Sequence, residues 1–260
     1  MSSTNAKALP GGAILTYHEV MPESNYSYCV PCQVFKQHLM LVQRYAAQET
    51  GAQAQVTFDD GERSQYLHAF PLLSQGNIRA TFFVTPALIG VEARFLGWSK
   101  LRELQEAGHS IQSHGWSHKF LTSCGQQELA YELRASKERL EDRLGRAVLA
   151  LSAPGGRWDR RVVEGCAAAG YRCLYVSEPW IALPMSGIQV MGRFMVRRTT
   201  TLPELARILN RDRGTLWKLK MRSGIKQCLM GLMGDGVYHR LWCRLTGYVD
   251  FEEARQNSTS

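Results

Sequence analysis

Val56-Thr57-Phe58-Asp59-Asp60-Gly61 closes an apolar run that begins at Ala54, and it reads as a buried strand ending in two adjacent carboxylates and a turn glycine. Side chains alternate along a strand. At its end the twist relaxes, so both carboxylates are expected to reach one cleft. Adjacent carboxylates are costly unless positive charge lies near them. A divalent metal meets that need, and the chain offers further ligands in Ser113-His114-Gly115-Trp116-Ser117-His118. On a helical turn, imidazoles four residues apart share a face, about 5–6 Å apart at Cβ. Two His and one Asp, with one position left for water, make a catalytic zinc site rather than a closed structural one. The other Asp is then available as a base toward that water.

Strands and helices alternate on both sides of this stretch. Ala13–Tyr17, Ala80–Val84, His109–Gln112, Val148–Leu151, Cys173–Val176 and a start at Gln189–Met191 read as further strands. Between them, apolar residues recur at helical spacing: Phe35 to Tyr45, Tyr66 to Leu73 with a kink at Pro71, Leu101 to Leu104, Leu129 to Leu144, and Val162 to Cys166. Met21–Cys29 reads as a loop, and Pro31 within Cys29-Val30-Pro31-Cys32 as the start of a helix. Alternation of this kind predicts parallel α/β units. His18, Asp59, Asp60, His114 and Pro154 each follow a strand, the end at which barrels carry their sites.

The residues now carry a resemblance. Thr57-Phe58-Asp59-Asp60-Gly61 resembles the first motif of the polysaccharide deacetylase family, and His114 to His118 resembles its second. Ala153-Pro154-Gly155-Gly156 resembles the remains of the third, and Tyr17-His18-Glu19-Val20 an opening motif of some branches. The resemblance covers roughly 13–198. It implies a distorted (β/α) barrel and a metal-dependent hydrolase that removes N-acetyl groups from amino sugars. It further implies Asp60, His114 and His118 as metal ligands, zinc as the metal, and Asp59 as the base. Pro154, Gly155, Arg157 and Trp116 are the residues expected to meet substrate.

The chain also departs from the family pattern. The third motif ordinarily opens with an arginine that orients the catalytic Asp, and here Ser152 stands in that place, with Gly155 replacing an aromatic residue. Arg157 is expected to swing back in its stead. The late Leu-x-x-His motif is not visible after Val190, which leaves the general acid unassigned, with His18 as the best substitute.

Composition narrows the remaining questions. With 260 residues, 45% of them hydrophobic, the chain can bury one sizeable core. Its net charge of +8 points to an acidic partner. Residues 193–244 hold twelve Lys or Arg against three acids, interleaved with Trp217, Leu219, Met221, Tyr238 and Trp242. They read as basic amphipathic helices suited to an anionic membrane surface. No base-reading module is visible, which argues against nucleic acid. The segment Met1–Pro10 has no apolar core of signal-peptide length, and no apolar run is long enough to span a bilayer. Seven cysteines without an export signal read as reduced thiols. The expected organisation is a disordered 1–12, a barrel over 13–200, a basic helical extension over 201–250 and a tail over 251–260. The expected location is cytoplasmic, peripheral at the inner membrane face. The expected substrate is an N-acetylated sugar linked to lipid or nucleotide. Two alternatives stand beside this: an amidase of the same fold acting on a non-sugar amide, and a degenerate glycan-binding domain.

Overall fold

A computed structural model describes residues 12–47, 54–179 and 181–221. In chain order its strands are β1 (Ile14–Tyr17), β2 (Glu19–Met21), β3 (Cys29–Pro31), β4 (Gln55–Phe58), β5 (Ala80–Val84), β6 (Ser110–Ser113), β7 (Ala150–Ser152), β8 (Cys173–Val176), β9 (Ala182–Met185), β10 (Ile188–Gly192) and β11 (Phe194–Met195). The helices are α1 (Cys32–Ala46), α2 (Phe70–Gln75), α3 (Trp98–Glu106), α4 (Gln126–Leu144), α5 (Arg160–Ala168) and α6 (Leu202–Leu209). Nine strands form one sheet in the order β11-β1-β4-β5-β6-β7-β8-β10-β9. Only the β9–β10 pair is antiparallel. Arg193 alone separates β10 from β11, so a single run of chain pairs with β8 on one flank and with β1 on the other. The sheet therefore curls onto itself as a distorted (β/α) barrel, with α1 to α5 filling the crossovers that parallel strands require.

The period-two alternation of strands gives the barrel two unlike faces. Leu15, Tyr17, Val56, Phe58, Phe82 and Leu151 pack outward, in one core with Phe35, Leu73, Leu104 and Leu133 of the surrounding helical layer. Phe58 stacks on Phe82 with centroids 4.9 Å apart. Burial of each such side chain contributes roughly 1.5–3 kcal/mol. The opposite parity is Thr16, Thr57, Phe83, Ser152 and Tyr175, and this face lines the inside. Thr57 Oγ1 lies 3.0 Å from Thr16 Oγ1 and from the Leu15 carbonyl, so these interior hydroxyls are satisfied.

Several elements differ from expectation. Glu19–Met21 and Cys29–Pro31 pair in parallel beside the barrel, flanking the expected loop. The helix expected over Tyr66–Leu73 opens as a π-helical turn, Gln65–Ala69, before α2 begins just ahead of Pro71. At the C-terminal side, α6 sends Leu205, Ile208 and Leu209 into the same core. The helical residues 213–221 lay Leu216 and Leu219 against that core and leave Trp217 and Met221 62% and 48% exposed. The further amphipathic stretches expected at Ile225–Leu232 and Tyr238–Leu245, and the N-terminal 1–11, lie outside the described residues. No helix among the described residues is long and apolar enough to cross a membrane.

Candidate active site

Asp59 continues the alternation of β4 and so falls on the inner face with Thr57. By alternation alone, Asp60 would point outward. It does not, because its backbone turns into the left-handed region at φ 73°, followed by Gly61 at φ 74°. A Cβ on Gly61 would stand 3.0 Å from Val84 Cγ1. This double turn, rather than relaxed twist, brings both carboxylates to one cleft. The second motif also differs from expectation. His114 to His118 is no helical turn but a bent loop beyond β6, with Gly115 at φ 76° and His118 at φ 70°. The two rings still meet, with centroids 5.0 Å apart. A non-glycine residue in such a conformation costs on the order of 1–3 kcal/mol and persists where its surroundings enforce it. Here Glu132 of α4 enforces it. Its carboxylate is buried and accepts from Trp116 N at 2.8 Å, from Ser117 N at 3.0 Å and from the Ser117 hydroxyl.

Asp60, His114 and His118 each offer one ligand atom, and these atoms lie within 4.8 Å of one another. Asp60 Oδ1 is 3.3 Å from His114 Nε2 and 3.1 Å from His118 Nε2, yet it is buried without a hydrogen-bond partner. His114 Nδ1 lies 2.8 Å from the Ser152 carbonyl, which can only accept. A proton therefore sits on Nδ1, so the ring in its neutral form turns its Nε2 lone pair toward Asp60. Lone pairs converging in this way need a cation between them. A second ring nitrogen held by a carbonyl is the usual outer support of a metal-ligating imidazole. The donor set fits a divalent metal ion. Burial would raise the Asp60 carboxyl, but the His114 and His118 imidazoles hold it well below the usual carboxylate range. Burial would likewise lower His114, and the Asp59 and Asp60 carboxylates outweigh it and raise the ring.

Asp59 has a different environment. The Arg193 guanidinium grips it with both forks, Nη1 to Oδ1 at 2.8 Å and Nη2 to Oδ2 at 2.7 Å. Ser152 Oγ donates to Oδ2 at 3.2 Å and accepts from Arg193 Nη2 at 2.6 Å. Arg193 is 2% exposed, with its guanidinium over the Phe83 and Tyr175 rings at 5.2 and 5.8 Å. Burial would raise the Asp59 carboxyl, and Arg193 and His114 overrule it and lower it.

The sequence profile described as "Polysaccharide deacetylase" matches residues 47–174, which hold both aspartates, both histidines and Ser152. The chain belongs to the polysaccharide deacetylase family. It is 26% identical to the Bacillus subtilis protein YxkH, named for polysaccharide deacetylase, over 75% of this chain and 68% of that one. It is 27% identical to chitin deacetylase 2 of Cryptococcus neoformans over 45% of this chain, and spans only 27% of that relative's length. In fold it matches the Streptococcus pyogenes deacetylase PplD in complex with acetate, with TM-score 0.68, 21% identity and coverage of 78% and 99%. IcaB from Ammonifex degensii gives TM-score 0.67 at 21% identity, with coverage of 77% and 98%.

The remaining residues of this polysaccharide deacetylase group around the same end of the sheet. His18, after β1, is buried with its Nδ1 unpartnered and its ring against Tyr28, centroids 5.2 Å apart. Burial lowers it, opposed by the charges of Asp60 and Asp59. Gln65, in the π-helical turn, donates its amide to the carbonyls of both His18 and Asp59, tying the two strand ends together. π-Helical turns are frequent at functional sites. Pro154 is buried beside Gly115, and Trp116 packs edge-on to Tyr131 at 5.8 Å. Gly155 is exposed at φ 63°, where a Cβ would meet the Phe120 ring at 2.5 Å. The Arg157 guanidinium lies over that same ring at 4.1 Å. The guanidinium that reaches Asp59 is thus Arg193's, and the expected swing of Arg157 toward Asp59 gives way to stacking on Phe120. Arg193, Glu132 and Gln65 escaped the sequence reading. Arg193 had a usable signal, a lone charge inside the apolar run Val190-Met191-Gly192-Arg193-Phe194-Met195-Val196. Such a residue is rarely buried unless paired. The five cysteines among the described residues are free, and burial pushes the Cys29 thiol up to about 11.

Proposed function

We propose that this chain is a metal-dependent hydrolase that removes an N-acetyl group from an amino sugar. The cluster of Asp60, His114 and His118, set beside the clamped carboxylate of Asp59, carries this reading. The three cluster residues would hold the ion, which we assign as zinc from its two-imidazole, one-carboxylate donor set. When bound, such an ion supplies Lewis acidity toward water and an amide carbonyl. Asp59 stays ionised and takes the proton from water as it attacks the acetyl carbon. A backbone N–H near the cleft stabilises the resulting oxyanion. The proton that Asp59 has taken passes by way of His18, which has a buried and unpartnered ring nitrogen, to the departing amine. The C–N bond breaks, leaving acetate and the free amino sugar. Pro154, Gly155, Arg157 and Trp116 line the substrate side. The reading of a degenerate binding domain rests on the missing arginine and the unassigned general acid, and the Arg193 clamp speaks against the first of these grounds.

For the carrier we propose a lipid- or nucleotide-linked sugar, met in the cytoplasm at the inner membrane face. The exposed Trp217 and Met221 support this, on one helical stretch with Arg213, Lys218 and Lys220. Each basic residue near an anionic lipid surface adds roughly 1 kcal/mol of attraction. One experiment tests both levels. Acetate release is measured from N-acetylated glycolipids on anionic vesicles, from nucleotide sugars and from simple linear amides, each with and without chelator. Chelator-sensitive release from a sugar is expected. Release from linear amides alone would favour an amidase, and no chelator-sensitive release at all would end the hydrolase reading. A variant carrying Trp217→Ser, Lys218→Glu and Lys220→Glu is expected to stop sedimenting with the vesicles. If it sediments like the parent, the membrane role falls.

A further inference from the structure

We propose that Arg193 is a positioning residue for Asp59, reaching across the seam of the barrel to replace the arginine that position 152 lacks. The inference deepens the hydrolase reading and rests on it. Arg193 is the single residue between β10 and β11, where the chain passes from one end of the sheet to the other. Its N–H donates to the Val176 carbonyl at 2.9 Å, fixing the backbone to β8. Its side chain then crosses the interior to the end of β4. The fork geometry is bidentate, with bonds of 2.7 and 2.8 Å, and it fixes the plane of the carboxylate as well as its place. Phe83 and Tyr175 stand beside the guanidinium and block sideways movement.

Ser152 completes the exchange. Its hydroxyl occupies the space between Arg193 Nη2 and Asp59 Oδ2, at 2.6 and 3.2 Å. A small residue at 152 is therefore what makes room for a long one at 193. Stability alone does not account for the pair, since buried ion pairs are often no better than apolar residues of the same volume. What the pair does supply is a carboxylate with one orientation, facing the cleft where Asp60, His114 and His118 converge.

Arg193→Ala and Arg193→Lys are each expected to lower kcat by about 100-fold, the scale of a misplaced catalytic group. Lysine fails because one ammonium cannot make the fork. KM and affinity for Zn²⁺, read by competition with a chromogenic chelator, stay near the parent's. Guanidinium ion added at sub-denaturing concentration recovers part of the Ala variant's rate. The double variant Arg193→Ser with Ser152→Arg outperforms Arg193→Ser alone. In a crystal structure of Arg193→Ala, the Asp59 carboxylate is expected to have turned from its present plane. Parent-like kcat in the Lys variant, or Zn²⁺ affinity falling in step with kcat, would overturn the proposal. So would an Asp59 carboxylate that keeps its place without Arg193. That last readout needs no turnover, so it separates failure of this proposal from failure of the hydrolase reading. Should the Ala variant not fold, the Lys variant carries the same measurements.

Discussion

The inner wall of the cleft and its mouth hold adjacent aspartates of nearly equal burial, 3% exposed for Asp59 and 4% for Asp60. At the wall, Asp59 meets a permanent cation of the chain's own, and its carboxylate accepts hydrogen bonds from two guanidinium N–H groups and a serine hydroxyl. At the mouth, Asp60 meets two imidazole edges, and one of them has its proton committed to the far side of the ring. The wall is complete as folded. The mouth, on the reading proposed above, is completed by a metal ion. The difference teaches how two like charges share one cleft: Asp59 has a counter-charge built into the chain, and Asp60 faces two imidazoles placed to share an ion with it.

The largest effect expected follows directly. Asp60→Ala should lose tight Zn²⁺ binding and activity together, because it removes the carboxylate of the recruiting half. Asp59→Asn should keep the ion and still lose activity by about 10²–10⁴-fold, the range for removing a general base. Isothermal titration with Zn²⁺ and acetate release on the same samples separate the two. If Asp59→Asn loses the ion as completely as Asp60→Ala, the division between wall and mouth is wrong.

Much of this was legible from residue order, for a physical reason. The expected strands Ala80–Val84 and Cys173–Val176 match those of the structure, and those expected from Ala54, Ala13, His109 and Val148 are found with ends shifted by one or two residues, because buried parallel strands are short apolar runs between turns. Asp59, Asp60, His114 and His118 were legible because each pair sits within five residues, at a strand end. The roles of Arg193 and Glu132 were not, because their partners lie 134 and 15–16 residues away; the lone charge of Arg193 in an apolar run signals a buried pair but does not name its partner. The left-handed turns at Asp60 and His118 were invisible for a similar reason. Nothing in an Asp or His announces a positive φ that only its surroundings enforce.

A medium effect sharpens the mouth side of the comparison. Glu132 touches no ligand atom, but it holds the backbone of the loop between His114 and His118. Glu132→Ala should weaken Zn²⁺ binding by about 10–100-fold, as loss of an outer support usually does. Its effect on the wall should be small, so the Asp59 carboxylate keeps the Arg193 fork in a crystal structure of the variant. Chelator competition gives the affinity. A variant binding Zn²⁺ as tightly as the parent would mean the loop holds its strained shape without Glu132.

The smallest effect carries the comparison from carboxylates to histidines. His114 gives its Nδ1 proton to a carbonyl, whereas His109 receives one at Nδ1 from the Ala80 N–H at 3.1 Å. His109 packs edge-on to Phe70 and Phe82 on the outer face, far from any carboxylate partner seen at the mouth. Burial, with Arg79 nearby, lowers it to about 4. A lowered histidine adds stability that is present above the unfolded value near 6.5 and is lost as pH falls toward 4. The loss should reach about 2 kcal/mol after allowance for solvent screening. His109→Gln keeps an acceptor for Ala80 N–H and has nothing to titrate. Urea unfolding of parent and variant at pH 7 and pH 4.5, with chelator present to leave the mouth empty in both, reads the difference. The parent should lose more stability on acidification than the variant. Parallel losses would mean that burial does not lower His109 in the folded chain, and the contrast between the two histidines would fail.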